Sequence, residues 1–272
     1  MEDFGDLLYD VQNRIATITM NNPAKLNALT EPMRHGLMQA FQTASDDAGV
    51  YVVVITGAGR GFCSGADTSA PRGLADGPEP PEGMAPSIVD RTYNLRPIQR
   101  VARAVQQLDK PLIAAVNGPA AGAGMDMASM SDIRFASTTA RFTQAFTRNA
   151  IIAGDGGAYF LPRIIGMARA LELLWSSRVF GAEEALQLGY VSRVIEADRL
   201  LPETYAFAQE LAEGPQTAIR YIKQLAYQSM YLDLDMSLRM AQYMQTIATA
   251  TEDAQEARKA IREKRKANFP NR

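Results

Sequence analysis

An α/β fold is what the sequence predicts, and three observations carry that reading. Short runs suited to strands, Leu7–Asp10, Arg14–Met20, Tyr51–Thr56, Leu112–Asn117 and Ile133–Ala136, alternate with stretches of helical periodicity. Two of them, YVVVIT and IAAVN, run straight into glycine-rich turns. With 272 residues the chain can bury about three quarters of its unfolded surface, enough for one sizeable core and a smaller appended part.

Each element has a local cause. The Tyr51–Thr56 run is dominated by β-branched side chains, which suit a pleated, buried strand. The loop after it, GAGRGFCSGAD over Gly57–Asp67, fits neither the GxGxxG nor the lysine-containing phosphate-loop pattern, which argues against a mononucleotide site. Ser69–Pro97 holds six of the 14 prolines, so regular structure is not expected there until about Ser87; a spacer and a substrate-side lid are the two readings.

The apolar run Ile113–Asn117 leads into Gly118, Gly122 and Gly124, and from about Gly122 the pattern turns helical. First-turn N–H groups of a helix have no intrahelical partner and sit at the positive end of its dipole, so an enolate or thioester oxygen placed there would be stabilised. Asp126 follows within one turn; a dipole-complementing aspartate in tight helix-on-strand packing is the other reading. A second acid, Asp155, sits in Gly154-Asp155-Gly156-Gly157, where a turn aspartate bonding its own backbone is the alternative to a catalytic role. Toward the C-terminus the chain reads as helical, with Leu234, Leu238, Ala241 and Ile247 at helical spacing. Met236, Met240 and Met244 are expected as core filler, and the organisation as a core domain over 1–195 and a helical region over 196–272.

The order Asn117–Gly118, then Gly122-Ala123-Gly124, then Ser129–Ile133 resembles the signature of the crotonase (enoyl-CoA hydratase/isomerase) superfamily. The likeness extends to NNPAKLNALT (Asn21–Thr30), to the Gly-x-Asp of Gly65–Asp67, to AEEALQLGYVSRVI after Gly181, and to AIREKRKANF (Ala260–Phe269). It implies a crotonase-like spiral of repeated ββα units with a C-terminal helical trimerisation region, assembled as a homotrimer or dimer of trimers. It also implies an enzyme that takes an acyl-CoA thioester as substrate and needs no metal or redox cofactor. By the same resemblance the backbone N–H groups of Ala66 and Ala123 form the oxyanion hole, each typically worth roughly 3–4 kcal/mol to a developing oxyanion. Lys25, Ser64, Gly65, Asp67, Gly122, Phe146 and Lys264 fall at substrate- or CoA-binding positions, Lys264 reaching across a subunit boundary.

Family hydratases hold one water between two glutamates. Asp126 stands at the first of those positions and Phe146 at the second, and a phenyl ring cannot transfer a proton. Asp126 and Asp155 are therefore the expected proton-transfer groups, with burial near Phe146 and Met125 raising a carboxyl pKa above its usual value of about 3.9. Isomerase-type proton transfer is favoured over hydration. The Gly-Asp-Gly turn also resembles crotonase-like carbon–carbon hydrolases of β-diketones, and a non-catalytic acyl-CoA-binding homologue is the other alternative.

Composition excludes other classes. A net charge of −2 argues against nucleic acid as a partner, the basic cluster from Arg258 to Lys266 being a solvated face or a CoA-phosphate contact. There is no apolar run of about 18 residues, and the acidic MEDFGDLLYD reads as no signal, so no membrane association and a cytoplasmic location are expected. One cysteine, Cys63, forbids an intrachain disulfide, and the single histidine, His35, falls on a distant predicted helix, which argues against a Cys–His nucleophile.

Overall fold

The computed structural model describes residues 2–67 and 95–271. Its strands are β1 (Glu2–Asp3), β2 (Leu7–Gln12), β3 (Ile15–Met20), β4 (Val52–Gly57), β5 (Leu112–Val116), β6 (Ala120–Ala121), β7 (Ile133–Ser137), β8 (Arg141–Thr143), β9 (Phe180–Gly181) and β10 (Arg193–Ile195). The helices are α1 (Glu31–Asp46), α2 (Arg96–Gln107), α3 (Ala123–Met130), α4 (Gly157–Ile165), α5 (Met167–Ser176), α6 (Ala182–Gln187), α7 (Leu200–Ala212), α8 (Gln216–Ser229), α9 (Leu234–Ala250) and α10 (Glu252–Glu263). All five strand runs expected from the sequence are present, with ends shifted by one or two residues. The segment read as a spacer or lid, Ser69–Pro97, lies outside the described residues as far as residue 94; beyond it, Pro97 stands in the first turn of α2, where its missing N–H costs nothing.

Seven strands form one sheet in the order β1-β2-β3-β4-β5-β7-β10. The β2–β3 pair is an antiparallel hairpin whose turn residues, Asn13 and Arg14, both have positive φ, the geometry that matches the twist of the flanking strands. From β3 onward the pairing is parallel, Val54 facing Ile113 and Ile113 facing Ile133. Such strands are covered on both faces, which explains why Val52–Gly57 is buried along its whole length. Because side chains alternate, Val53 and Ile55 join Leu37, Phe41, Val101 and Met125 in the larger core cluster. Val52 and Val54 face the other way, against Leu200, Ala208 and Ala212 of α7. Helix α7 thus lies over the second face of the sheet.

A smaller sheet, β6-β8-β9, begins within the Gly118–Gly122 turn, at Ala120–Ala121. At the opposite end of the molecule, the ammonium of the buried Lys110 donates to the carbonyls of Ala44, Ser45 and Asp47 at 2.5, 3.1 and 2.7 Å, capping the C-terminus of α1. Lys223 and Tyr227 of α8 bind Asp132 at 2.8 and 2.9 Å and so tie the C-terminal helices to the core. Beyond α8, the expectation for the methionines fails. Helix α9 has no buried residue, and Met236 is exposed alongside Leu234, Leu238, Tyr243 and Ile247, so Met236, Met240 and Met244 fill no core among the described residues. Periodicity identifies an apolar face without saying what covers it. No helix among the described residues is long and apolar enough to cross a membrane.

Candidate active site

Two turns meet at one edge of the main sheet. The first, Gly57–Asp67, has its carbonyls held by two asparagine side chains: Asn27 donates to Ala58 and Gly61 at 2.9 and 2.8 Å, and Asn117 to Gly59 and Gly61 at 2.9 and 3.2 Å. The second, Gly118–Gly122, pairs with it through a parallel bridge between Cys63 and Ala120, with Ala121 N–H donating to Cys63 C=O at 3.0 Å. Gly65, at φ +95°, permits the contact; a Cβ there would lie 2.6 Å from Ala121 O and 3.6 Å from Ala123 N. Gly65, the residue before Ala66, is therefore packed against the backbone that runs from Ala121 to Ala123. Among the described residues neither the Ala66 nor the Ala123 N–H finds a hydrogen-bond acceptor, and Ala123 begins helix α3. Two unpaired donors, one of them at a helix N-terminus, suit an oxygen that gains negative charge.

Asp126 lies in the first turn of α3 and is fully buried. Gln144 Nε2 donates to its Oδ1 at 2.8 Å and Gly157 N–H to its Oδ2 at 3.0 Å. Burial pushes the carboxyl well above the usual range, and the neighbouring Asp155 charge pushes it further, against the two donors. Asp155 itself is buried in the turn before α4, its carboxyl raised by desolvation while its own backbone N–H pulls the other way. The turn role foreseen for Asp155 and its electrostatic action on Asp126 thus occur together. Phe146 is nearly buried, with its ring against Gly122: a Cβ on that glycine would lie 3.8 Å from the ring edge.

The other sequence-predicted residues divide. Lys25 pairs with Asp67 at 2.9 Å, bridging the 3₁₀ turn Pro23–Lys25 to the end of the first loop. Ser64 spends its hydroxyl on Lys25 C=O at 2.9 Å and so shapes this rim. Lys264 caps α10 in the left-handed conformation and belongs to a C-terminal segment held by Arg265–Glu256 and Lys266–Glu213 ion pairs; among the described residues no hydrogen bond or ion pair joins it to the Asp126 cluster. Cys63 is buried with its thiol pushed up to about 12 by desolvation, and His35 is exposed on α1 beside Glu31, so the two form no nucleophilic pair. Gln144 is the functional residue that sequence reasoning missed. Its signal was present: Phe142 points inward from β8, and Gln144, two residues on, shares that side, so a buried amide there needs a polar partner.

Comparison with known proteins places this arrangement. The sequence pattern of a family described as enoyl-CoA hydratase/isomerase matches residues 10–272. A 1,2-epoxyphenylacetyl-CoA isomerase of Escherichia coli K12 is 33% identical over 263 residues, covering 97% of each chain. The crotonyl-CoA hydratase of Syntrophomonas wolfei is 32% identical, over 98% of each chain. Among solved structures, an enoyl-CoA hydratase from Bacillus anthracis superposes with a TM-score of 0.89 at 29% identity, covering 98% of this chain and all of that one.

Proposed function

Since this chain belongs to the enoyl-CoA hydratase/isomerase family, we propose that it binds an acyl-CoA thioester and moves a proton along the acyl chain in preference to adding water. The N–H groups of Ala66 and Ala123 receive the thioester oxygen. With Asp126 or Asp155 ionised, that carboxylate removes a proton from carbon next to the carbonyl or conjugated with it, the electron pair passes to the oxygen as an enolate, and the acid formed returns a proton at the other carbon. The step is an isomerisation, balanced without metal, redox cofactor or co-reactant.

One observation carries the preference. The position where family hydratases keep a second glutamate holds Phe146, whereas the second buried carboxyl, Asp155, acts on Asp126 from the turn before α4. The dry ring beside Gly122 leaves no acid there to activate water. The likeness to an epoxyphenylacetyl-CoA isomerase supports the reading, and the equal likeness to a crotonyl-CoA hydratase is why it needs testing. A panel of 2- and 3-enoyl-CoA thioesters incubated in heavy water and read by mass spectrometry should gain deuterium in the acyl chain, with Asp126→Asn slowing exchange by roughly a hundredfold or more. Formation of 3-hydroxyacyl-CoA faster than exchange would overturn the preference, and a panel with neither exchange nor turnover would overturn the enzyme reading.

The assembly proposed is a homotrimer or dimer of trimers. The uncovered apolar face of α9, with Leu234, Leu238, Tyr243 and Ile247, supports it, as large side chains so exposed are costly unless partnered. Light scattering on the eluting protein reads the mass directly, and a monomer at micromolar concentration would sink the idea.

A further inference from the structure

Tyr190 lies between α6 and β10 in the chain and is completely buried. Its ring meets Phe142 and Phe180 edge-on at 5.2 and 6.2 Å, which fixes where its hydroxyl points. That hydroxyl lies 3.0 Å from the carbonyl of Met125 and 2.9 Å from Ser129 Oγ, which is itself 2.9 Å from the same carbonyl. Each hydroxyl has a single hydrogen. Whichever donates to the carbonyl, the other polarises it, so a coupled hydroxyl pair ends on Met125 C=O.

The consequence follows from the peptide units. Met125 C=O shares its peptide with Asp126 N–H, and that N–H donates to Gly122 C=O at 3.0 Å. Gly122 C=O in turn shares its peptide with Ala123 N–H, the donor with no acceptor among the described residues. An unbroken line of hydrogen bonds thus runs from the Tyr190 and Ser129 hydroxyls through two peptide groups to the open N–H. Each bond in such a line polarises the next, and the far end becomes a stronger donor. We propose that Tyr190 and Ser129 are positioning residues that orient and polarise the Ala123 oxyanion donor and hold the turn bearing Asp126. The inference rests on the oxyanion-hole reading of Ala123.

The test uses the full-length protein saturated with crotonyl-CoA carrying an isotope-labelled thioester carbonyl, its stretching frequency read by difference infrared spectroscopy. Wild type should shift the carbonyl to lower frequency; Tyr190→Phe and Ser129→Ala should each reduce the shift, and the double variant should reduce it most. On the substrate that exchanges deuterium fastest, the double variant should lower kcat about threefold with KM unchanged, the size expected when one donor weakens without being lost. Phe142→Leu is the control, since it loosens the packing on the Tyr190 ring and keeps both hydroxyls: the melting temperature should fall and the carbonyl frequency stay. A saturated wild-type complex with no shift overturns the oxyanion-hole reading and the relay with it. A wild-type shift retained in full by the double variant, or lost equally in Phe142→Leu, overturns the relay alone. Should the double variant fail to fold, the two single variants decide on the same criterion.

Discussion

Gln144 Nε2 donates to Asp126 Oδ1 across 2.8 Å of fully buried space, and in the proposed reaction this contact sets when Asp126 can act as a base. The donor favours the ionised carboxyl, opposing both burial and the Asp155 charge. Gln144→Leu removes it and keeps the volume, so the Asp126 pKa should climb further. Proton-exchange rate plotted against pH should rise at higher pH than in wild type, with a roughly tenfold loss near neutrality. An unmoved profile would mean that Asp126 is not the group titrating in the rate.

The Asp126 carboxyl leaves no room for a side chain at Gly157. A Cβ at that position would stand 2.3 Å from Oδ1 and 2.6 Å from Oδ2, deep inside van der Waals contact, while the residue's own N–H donates to Oδ2 at 3.0 Å. Gly157→Ala therefore displaces the carboxyl from its donors. Expected are a loss of roughly 1–3 kcal/mol in denaturant unfolding and a fall in exchange rate of about a hundredfold, since the acid leaves its reacting position. Full activity in that variant would show that Asp126 needs no fixed placement.

Both aspartates leave a mark on stability. A carboxyl whose pKa is raised by folding binds its proton more tightly in the folded chain than in the unfolded one. Its stabilising contribution is complete below the unfolded value of about 3.9 and is lost as pH climbs through the raised value. Stability should therefore decline from weakly acidic to alkaline pH. Asp126→Asn removes that titration, and the site tolerates it, because the Gln144 amide can turn to accept from the new amide nitrogen while Gly157 N–H keeps an oxygen to bind. The melting temperature of Asp126→Asn should exceed that of wild type at about pH 9 and approach it at about pH 5. Parallel curves across that range would show that Asp126 titrates normally in the fold.

The order of difficulty in the sequence has physical causes. Val52–Gly57 and Leu112–Val116 were legible because β-branching and unbroken burial are local properties, and the Gly118–Asp126 turn because its glycines and acid are contiguous. Strands β6 and β9 were not, since two residues cannot display a period of two. Alternation with Phe142 turns Gln144 inward, but the group its amide meets is a carboxyl 18 residues away, which no local pattern names. Lys110 likewise reads as a surface lysine until α1 brings three carbonyls around its ammonium.

Phe146 offers the sharpest separation between the two chemistries of the family. Its ring packs against Gly122 in the second turn, and the resemblance read from the sequence aligns it with the second acid of family hydratases. In Phe146→Glu a carboxyl would face the same substrate carbons as Asp126, and together the two could hold and activate a water. Burial of a new acid beside two raised carboxyls costs stability, of the order of 1–3 kcal/mol, and raises its own pKa toward a range useful for acid–base work. The expected outcome is a gain of about tenfold or more in 3-hydroxybutyryl-CoA formed from crotonyl-CoA, followed by loss of enoyl-thioester absorbance and confirmed by chromatography. Proton exchange should fall in the same variant, as water now competes for the enoyl group. If hydration stays at the wild-type level while the protein remains folded, the missing second acid is not what restrains water addition, and the preference for proton transfer would have to rest on the placement of Asp155 alone.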